Sequence, residues 1–287
     1  LLGKTSSNII VIICMIIAII ALLFIALARN STLPRQASYE VFRYLAAQET
    51  NLKTIEFDET VSDNFKIKYL PSDEEYIGVV AQGAERAHQE VSEFFGKKPI
   101  DDQTVIIIYP NTESLAASFG WDKDEKAMGV YWGGTIRLLS PREWIGRGDL
   151  KEEFYYKGPI VHEFAHLLVD DMTRGNYTRW WTEAVAQYVE KQITGFEFQN
   201  PFRHGNKIKL YELSVLERDF DNLDQQIAYW QSLKIIEYIV DKHGKEKVFE
   251  ILEFLGEGKN MTQALEKSLE IDINTFEQQY TQYIKNH

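Results

Sequence analysis

Cysteine is almost absent: the one present, Cys14, lies inside an apolar stretch. The rest of the chain can form no disulfide and must draw its stability from a packed core. Proline and glycine are also sparse, 7 and 17 among 287 residues. This excludes collagen-like and Pro/Gly-rich low-complexity architectures. Acidic residues are missing from the first 29 positions, where Lys4 and Arg29 are the only charges, whereas the other 258 residues hold 29 basic and 43 acidic side chains. A body with that acidic excess repels phosphate backbones, so nucleic-acid binding is excluded as a first reading. There is no internal repeat, and only one long apolar run, which excludes a multi-span membrane protein. What remains is globular in composition, 45% hydrophobic and 26% charged. It is large enough for one large domain or two small ones.

The apolar run, residues 8–28, is 21 residues without a charge. At about 1.5 Å rise per residue, such a segment can cross a hydrocarbon layer of about 30 Å. It predicts a transmembrane anchor, with a removed signal peptide as the alternative because Ala26-Leu27-Ala28 has the small residues of a cleavage site. Lys4 on one side and Arg29, Arg35 and Arg43 on the other do not decide orientation. A large acidic domain translocates regardless of flanking charge, so the expectation is a single-pass membrane protein with its body outside the cytoplasm, or a secreted one after cleavage near Ala28. Residues 29–36, with Pro34, read as a linker.

From residue 37 the pattern is that of an α+β protein. Phe65–Leu70 alternates like a half-exposed strand, and Ile77, Val80, Ala84, Ala87 and Val91 recur at helical spacing. Thr104–Tyr109 is a continuous β-branched run that predicts a buried strand before a turn and a short helix. Residues 129–132 and 135–139 flank Gly133-Gly134 as in a hairpin. A small mixed β-sheet with helices is therefore expected over 37–148. Over 149–287 the periodicity is helical, with predicted helices beginning at Pro159 and Arg179 and covering 222–243, 245–255, 260–269 and 273–285. The two parts read as an N-terminal α/β lobe and a helical metal-binding lobe, with the active site between them.

The chemistry concentrates in His162-Glu163-Phe164-Ala165-His166. On a helix, positions four apart share one face, so both imidazoles can reach one metal ion, while Glu163 projects beside them as a proton acceptor for a water held there. Catalytic zinc usually has three protein ligands. Glu183, seventeen residues after His166 on the second predicted helix, is the natural third. The remaining histidines, His88, His204, His243 and His287, show no metal spacing.

His162-Glu163-x-x-His166 together with Trp181-Thr182-Glu183-Ala184-x-Ala186-x-Tyr188 resembles the gluzincin metallopeptidases of the peptidase MA-like family. The similarity extends to Ala228-Tyr229-Trp230-Gln231-Ser232 and the helix running on to Gly244. The resemblance implies a zinc metallopeptidase acting on a peptide or protein substrate, zinc held by His162, His166 and Glu183, and Glu163 as the general base. It also implies a donor for the developing oxyanion, with Tyr229 first and Tyr188 second, and a substrate strand at Thr135–Leu139. Two departures stand out. Ala184 replaces the usual Gly, and Gln187 stands where thermolysin-like relatives place an Asp that orients a metal-binding histidine. Gln187 is accordingly expected to accept a ring N–H without supplying charge. The competing readings are a membrane-anchored zinc-binding or peptide-binding module without turnover, and a zinc hydrolase for a non-peptide substrate.

Overall fold

Alternation in Phe65–Tyr69 puts Phe65 and Ile67 into the core and leaves Lys66 and Lys68 half-buried, so this segment, β2, has one apolar face. It pairs antiparallel with β1 (Asp58–Val61) and parallel with β3 (Thr104–Tyr109). Strand β5 (Thr135–Leu139) runs parallel to β3, and β4 (Gly129–Trp132) closes the sheet antiparallel to β5. Among the residues described, 33–120, 127–146, 148–202 and 209–286 of the computed structural model, this gives one five-stranded mixed sheet in the order β1-β2-β3-β5-β4. Gly133 and Gly134 both take positive φ, 53° and 88°, as the tight β4–β5 turn requires.

Eleven α-helices accompany the sheet among these residues: α1 (Leu33–Lys53), α2 (Ile77–Phe95), α3 (Thr112–Phe119), α4 (Leu150–Lys157), α5 (Ile160–Thr173), α6 (Arg179–Thr194), α7 (Leu213–Asp219), α8 (Gln225–His243), α9 (Glu246–Gly256), α10 (Met261–Leu269) and α11 (Ile273–Asn286). The architecture is mixed α+β, a sheet followed by a mainly helical region. The chain divides into two compact units, Leu1–Phe42 and Arg43–His287. The sheet strands and the helices after residue 148 both fall in the larger unit.

Within that unit, the stripe Val80, Ala84, Ala87 and Val91 turns α2 inward, where it packs on both β2 and α5. Helix α5 is buried through most of its length, and α6 packs against both α5 and α8. Arg174 and Gly175, both at positive φ, end α5 and start the short turn that sends α6 back beside it. The two helices that carry the metal motif are thereby held at the centre of the core.

Two expectations change. Residues 33–36, read as linker, belong to α1, because a proline in the first helical turn lacks only an N–H that would have had no helical partner. The single-pass membrane location is not sustained. Among the described residues no helix is long and apolar enough to cross a membrane. Helix α1 has the length, yet Glu40, Arg43, Glu49 and Lys53 interrupt it with charge. The 8–28 run on which the expectation rested lies outside the described residues.

Candidate metal centre

Helix geometry stacks His162 and His166 one turn apart on α5, and the antiparallel run of α6 brings Glu183 against both. The two Nε2 atoms lie 3.1 Å apart, and Glu183 Oε2 is 3.3 Å from His162 Nε2. One ligand atom from each of the three side chains falls within 4.8 Å of the others, so they could hold a single metal ion. The residues fit such an ion in chemistry as well as spacing. His162 Nδ1–H donates to Glu190 Oε2 at 3.0 Å, and His166 Nδ1–H donates to Thr182 Oγ1 at 2.6 Å. Each bond fixes a ring with its Nε2 facing the cluster, where a bound metal would take the place of a proton.

The partner of His162 corrects the reading of Gln187. Gln187 Nε2 donates to the backbone oxygens of Glu183 and Tyr229, and its Oε1 is buried without a partner, so it meets neither histidine. Seven residues advance a helix by two turns less about 20°, which returns Glu190 to the face of Glu183. A position four residues on is rotated further, and here it faces α8. The orienting group is thus a carboxylate, and the expected loss of charge around the histidines does not occur.

Burial and charge set the protonation states. Burial pushes the Glu163 carboxyl up to about 7, and nearby Glu183 adds to the rise, while His162 and the Tyr131 N–H pull it down. Burial alone would depress His162, but the carboxylates of Glu183 and Glu190 at its two ring nitrogens hold it well above the usual imidazole range. Burial lowers His166 to about 4. Burial would raise Glu183, yet His166, Arg179 and His162 keep it well below the usual carboxylate range. A largely buried group of four titrating side chains therefore has their charges balanced locally.

Several contributors come from far along the chain. Tyr131 on β4 donates its backbone N–H to Glu163 Oε2 at 2.6 Å. Its hydroxyl donates to Asp170, one turn beyond His166, and accepts the Gly134 N–H. Arg43 pairs with Asp171 and Asp101 and lies 3.8 Å from Asp170, anchoring the end of α5. At Gly129 a Cβ would come within 2.9 Å of Glu163 Cγ and 2.7 Å of Pro159, so only glycine lets β4 approach this closely. Strand β5, expected to lie along a substrate, is paired on both sides by β3 and β4, and its ladder groups are spent. The edge strand beside Glu163 is β4.

The structure brings Tyr229 to the cluster. Its ring packs between Phe198 and Phe220, and its hydroxyl lies 3.5 Å from Arg179 Nη2. Tyr188 turns away, its ring packing edge-on against Phe94. Trp180 and Trp181 are both fully buried and act in packing. His88 sits between Phe65 and Phe164, and His243 packs on Tyr238, while His204 and His287 lie outside the described residues.

Comparison with known proteins gives a family and a fold. Residues 88–286 match the model of a family described as the Peptidase MA superfamily. The solved aminopeptidase A of Legionella pneumophila, in complex with aspartic acid, aligns with a TM-score of 0.51 at 13% identity, covering 78% of this chain and 28% of that one. An M1 zinc metallopeptidase from Deinococcus radiodurans aligns with a TM-score of 0.45 at 12% identity, covering 78% of this chain and 49% of that one. This chain thus spans less than a third of the first and about half of the second, and the likeness to the first is one of fold alone. No protein of curated function matches it in sequence.

Proposed function

We propose that this chain, which belongs to the Peptidase MA superfamily, works as a zinc-dependent metallopeptidase that hydrolyses peptide bonds. The observation that carries the reading is the convergence of His162, His166 and Glu183 beside a buried Glu163. Zinc is the cofactor that the family and this donor set together imply. When bound, it supplies Lewis-acid polarisation of a carbonyl and brings the pKa of a water toward about 7.

The chain's own residues do the rest. His162 Nε2, His166 Nε2 and Glu183 would hold the ion, with Glu190 and Thr182 locking the rings from behind. Glu163, held in place by the Tyr131 N–H on Oε2, accepts the proton of the attacking water and passes it to the leaving amine. Tyr229 O–H is the donor for the oxyanion. The outer edge of β4 offers backbone groups along which an extended peptide would lie, which replaces the earlier expectation for β5.

The test is cleavage of a peptide library by the full chain, with zinc content measured on the same sample and Glu163→Gln as control. Wild type should contain zinc and cleave, and Glu163→Gln should contain zinc and not cleave. A zinc-loaded wild type that cleaves no peptide sinks the peptidase reading in favour of a binding module. Turnover of esters or other non-peptide substrates alone would point instead to a different zinc hydrolase.

A further inference from the structure

Arg179 is placed against the local rules of its own helix. It opens α6, where a cation opposes the helix dipole, and it stands four residues before Glu183, the less favourable order for an acid–base pair on a helix. A residue that costs helix stability and is nevertheless held by three contacts owes its position to something other than helix formation. Its Nη1 is ion-paired with Glu183 Oε1 at 2.8 Å, its Nη2 lies 3.5 Å from the Tyr229 hydroxyl, and its Nε is 3.4 Å from Asp221 Oδ1.

The two oxygens of Glu183 are consequently not equivalent. Oε2 faces His162 Nε2 at 3.3 Å and takes no bond from Arg179. Oε1 is 3.6 Å from His166 Nε2, near enough to serve as a second ligand atom, but the guanidinium occupies it at the shorter distance. The ion pair sets the guanidinium's positive charge against Oε1 and so favours one rotation of the carboxylate. Glu183 is almost fully buried, whereas the Arg179 side chain is 43% exposed, so the arginine reaches in from the rim to fix a ligand on the floor.

We infer that Arg179 is a positioning residue: it reserves Oε1 of Glu183, so that the carboxylate presents Oε2 alone to the metal and a coordination position stays open for water and substrate. The inference rests on the zinc-peptidase reading. A planar guanidinium suits the task better than an ammonium because it reaches Glu183 and Tyr229 at once from a rigid fork. It thereby ties the third ligand to the oxyanion donor, so that rotation of one is resisted by the other.

The experiment uses the full chain in four forms: wild type, Arg179→Met, Arg179→Lys and Asp221→Asn. Zinc affinity is read by competition with a chromophoric chelator. The visible absorption of the Co2+-substituted protein reports coordination number, because four-coordinate cobalt absorbs more strongly than higher-coordinate cobalt. Arg179→Met should weaken zinc binding by about 10–100-fold, the range typical of removing a group that orients a ligand. It should also dim the cobalt bands as Oε1 joins the metal. Arg179→Lys should restore part of both, and Asp221→Asn, at a largely exposed carboxylate, should leave both unchanged. Arg179→Met with wild-type zinc affinity and an unaltered cobalt spectrum overturns the inference. Should Arg179→Met fail to fold, Arg179→Gln takes its place, and wild-type zinc affinity with an unaltered cobalt spectrum there overturns the inference as well. A wild type that binds no zinc at all overturns the peptidase reading itself, which keeps the two failures apart.

Discussion

The floor and the rim of the site are built in opposite ways. The floor, His162, His166, Thr182, Glu183 and Glu190, comes entirely from the adjacent helices α5 and α6, is largely buried, and satisfies its ring nitrogens from within. The rim, Tyr131, Arg179 and Tyr229, is drawn from β4, the start of α6 and α8: Tyr131 bonds Glu163 across 32 residues, Arg179 pairs with Glu183 four residues on, and Tyr229 meets Arg179 across 50. A floor on two packed helices gains rigidity from the surrounding core, whereas a rim of separate elements can shift without unfolding the protein. Perturbing the floor should therefore act on metal binding and perturbing Tyr131 or Tyr229 on turnover, while Arg179, ion-paired with Glu183, links the two.

The largest effect is expected on the floor. His162→Ala removes a ligand and leaves Glu183 and Glu190 without their ring partner, so zinc content and peptide hydrolysis should both fall to background, as measured by metal analysis and a cleavage assay. Removing zinc with a chelator should do the same to wild type, with recovery on adding zinc back. Tyr229→Phe tests the rim: kcat should drop by about 10²–10³ with zinc content unchanged, because only the oxyanion donor is lost. An unchanged kcat would remove Tyr229 from the mechanism. Glu190→Gln should weaken zinc affinity by about 10–100-fold while leaving kcat at saturating zinc close to wild type.

A smaller effect separates the two regions by pH in the metal-free protein. Glu163 is raised from 4.5 to about 7 by burial, so its carboxyl costs nothing below pH 4.5, where it is protonated both folded and unfolded. Between pH 4.5 and about 7 the unfolded chain releases this proton while the folded protein keeps it, so stability is lost across that window and the loss is complete above it. Metal-free Glu163→Gln, which keeps an acceptor for the Tyr131 N–H, should thus be more stable than wild type by about 3 kcal/mol above pH 7, the gap closing as pH falls to 4.5. Urea unfolding at several pH values measures it, and a gap independent of pH would contradict the assigned burial cost. The smallest expected change is Gly129→Ala, whose Cβ would press on Glu163 and Pro159 and cost about 1–3 kcal/mol in overpacking, read as a lower unfolding midpoint.

The same contrast explains what could be read from the chain. His162, Glu163 and His166 were legible because four-residue spacing on a helix guarantees a shared face, and the hairpin at Gly133-Gly134 because positive φ favours glycine. Glu190 was missed although a seven-residue step from Glu183 already places it on the metal face; attention to position four, where relatives carry Asp, fell on Gln187 instead. Arg179 was open to the same argument at minus four. Tyr131, Asp170 and Arg43 carried no such signal, since their contacts span 32 to 128 residues and depend on where the sheet meets α5. Strand β1 is four polar-rich residues with little alternation, and it is recognisable only by its pairing with β2. The turn that opens α1 looked like a linker because Pro34 breaks helices everywhere except in their first turn.

The claim that most of this depends on is that Glu163 moves the proton while the three ligands hold zinc. The measurement that reaches it most directly is zinc stoichiometry and peptide turnover on one preparation of Glu163→Gln beside wild type. The account predicts equal zinc in both and a turnover lower by at least about 10² in the variant. Equal zinc with equal turnover would contradict it.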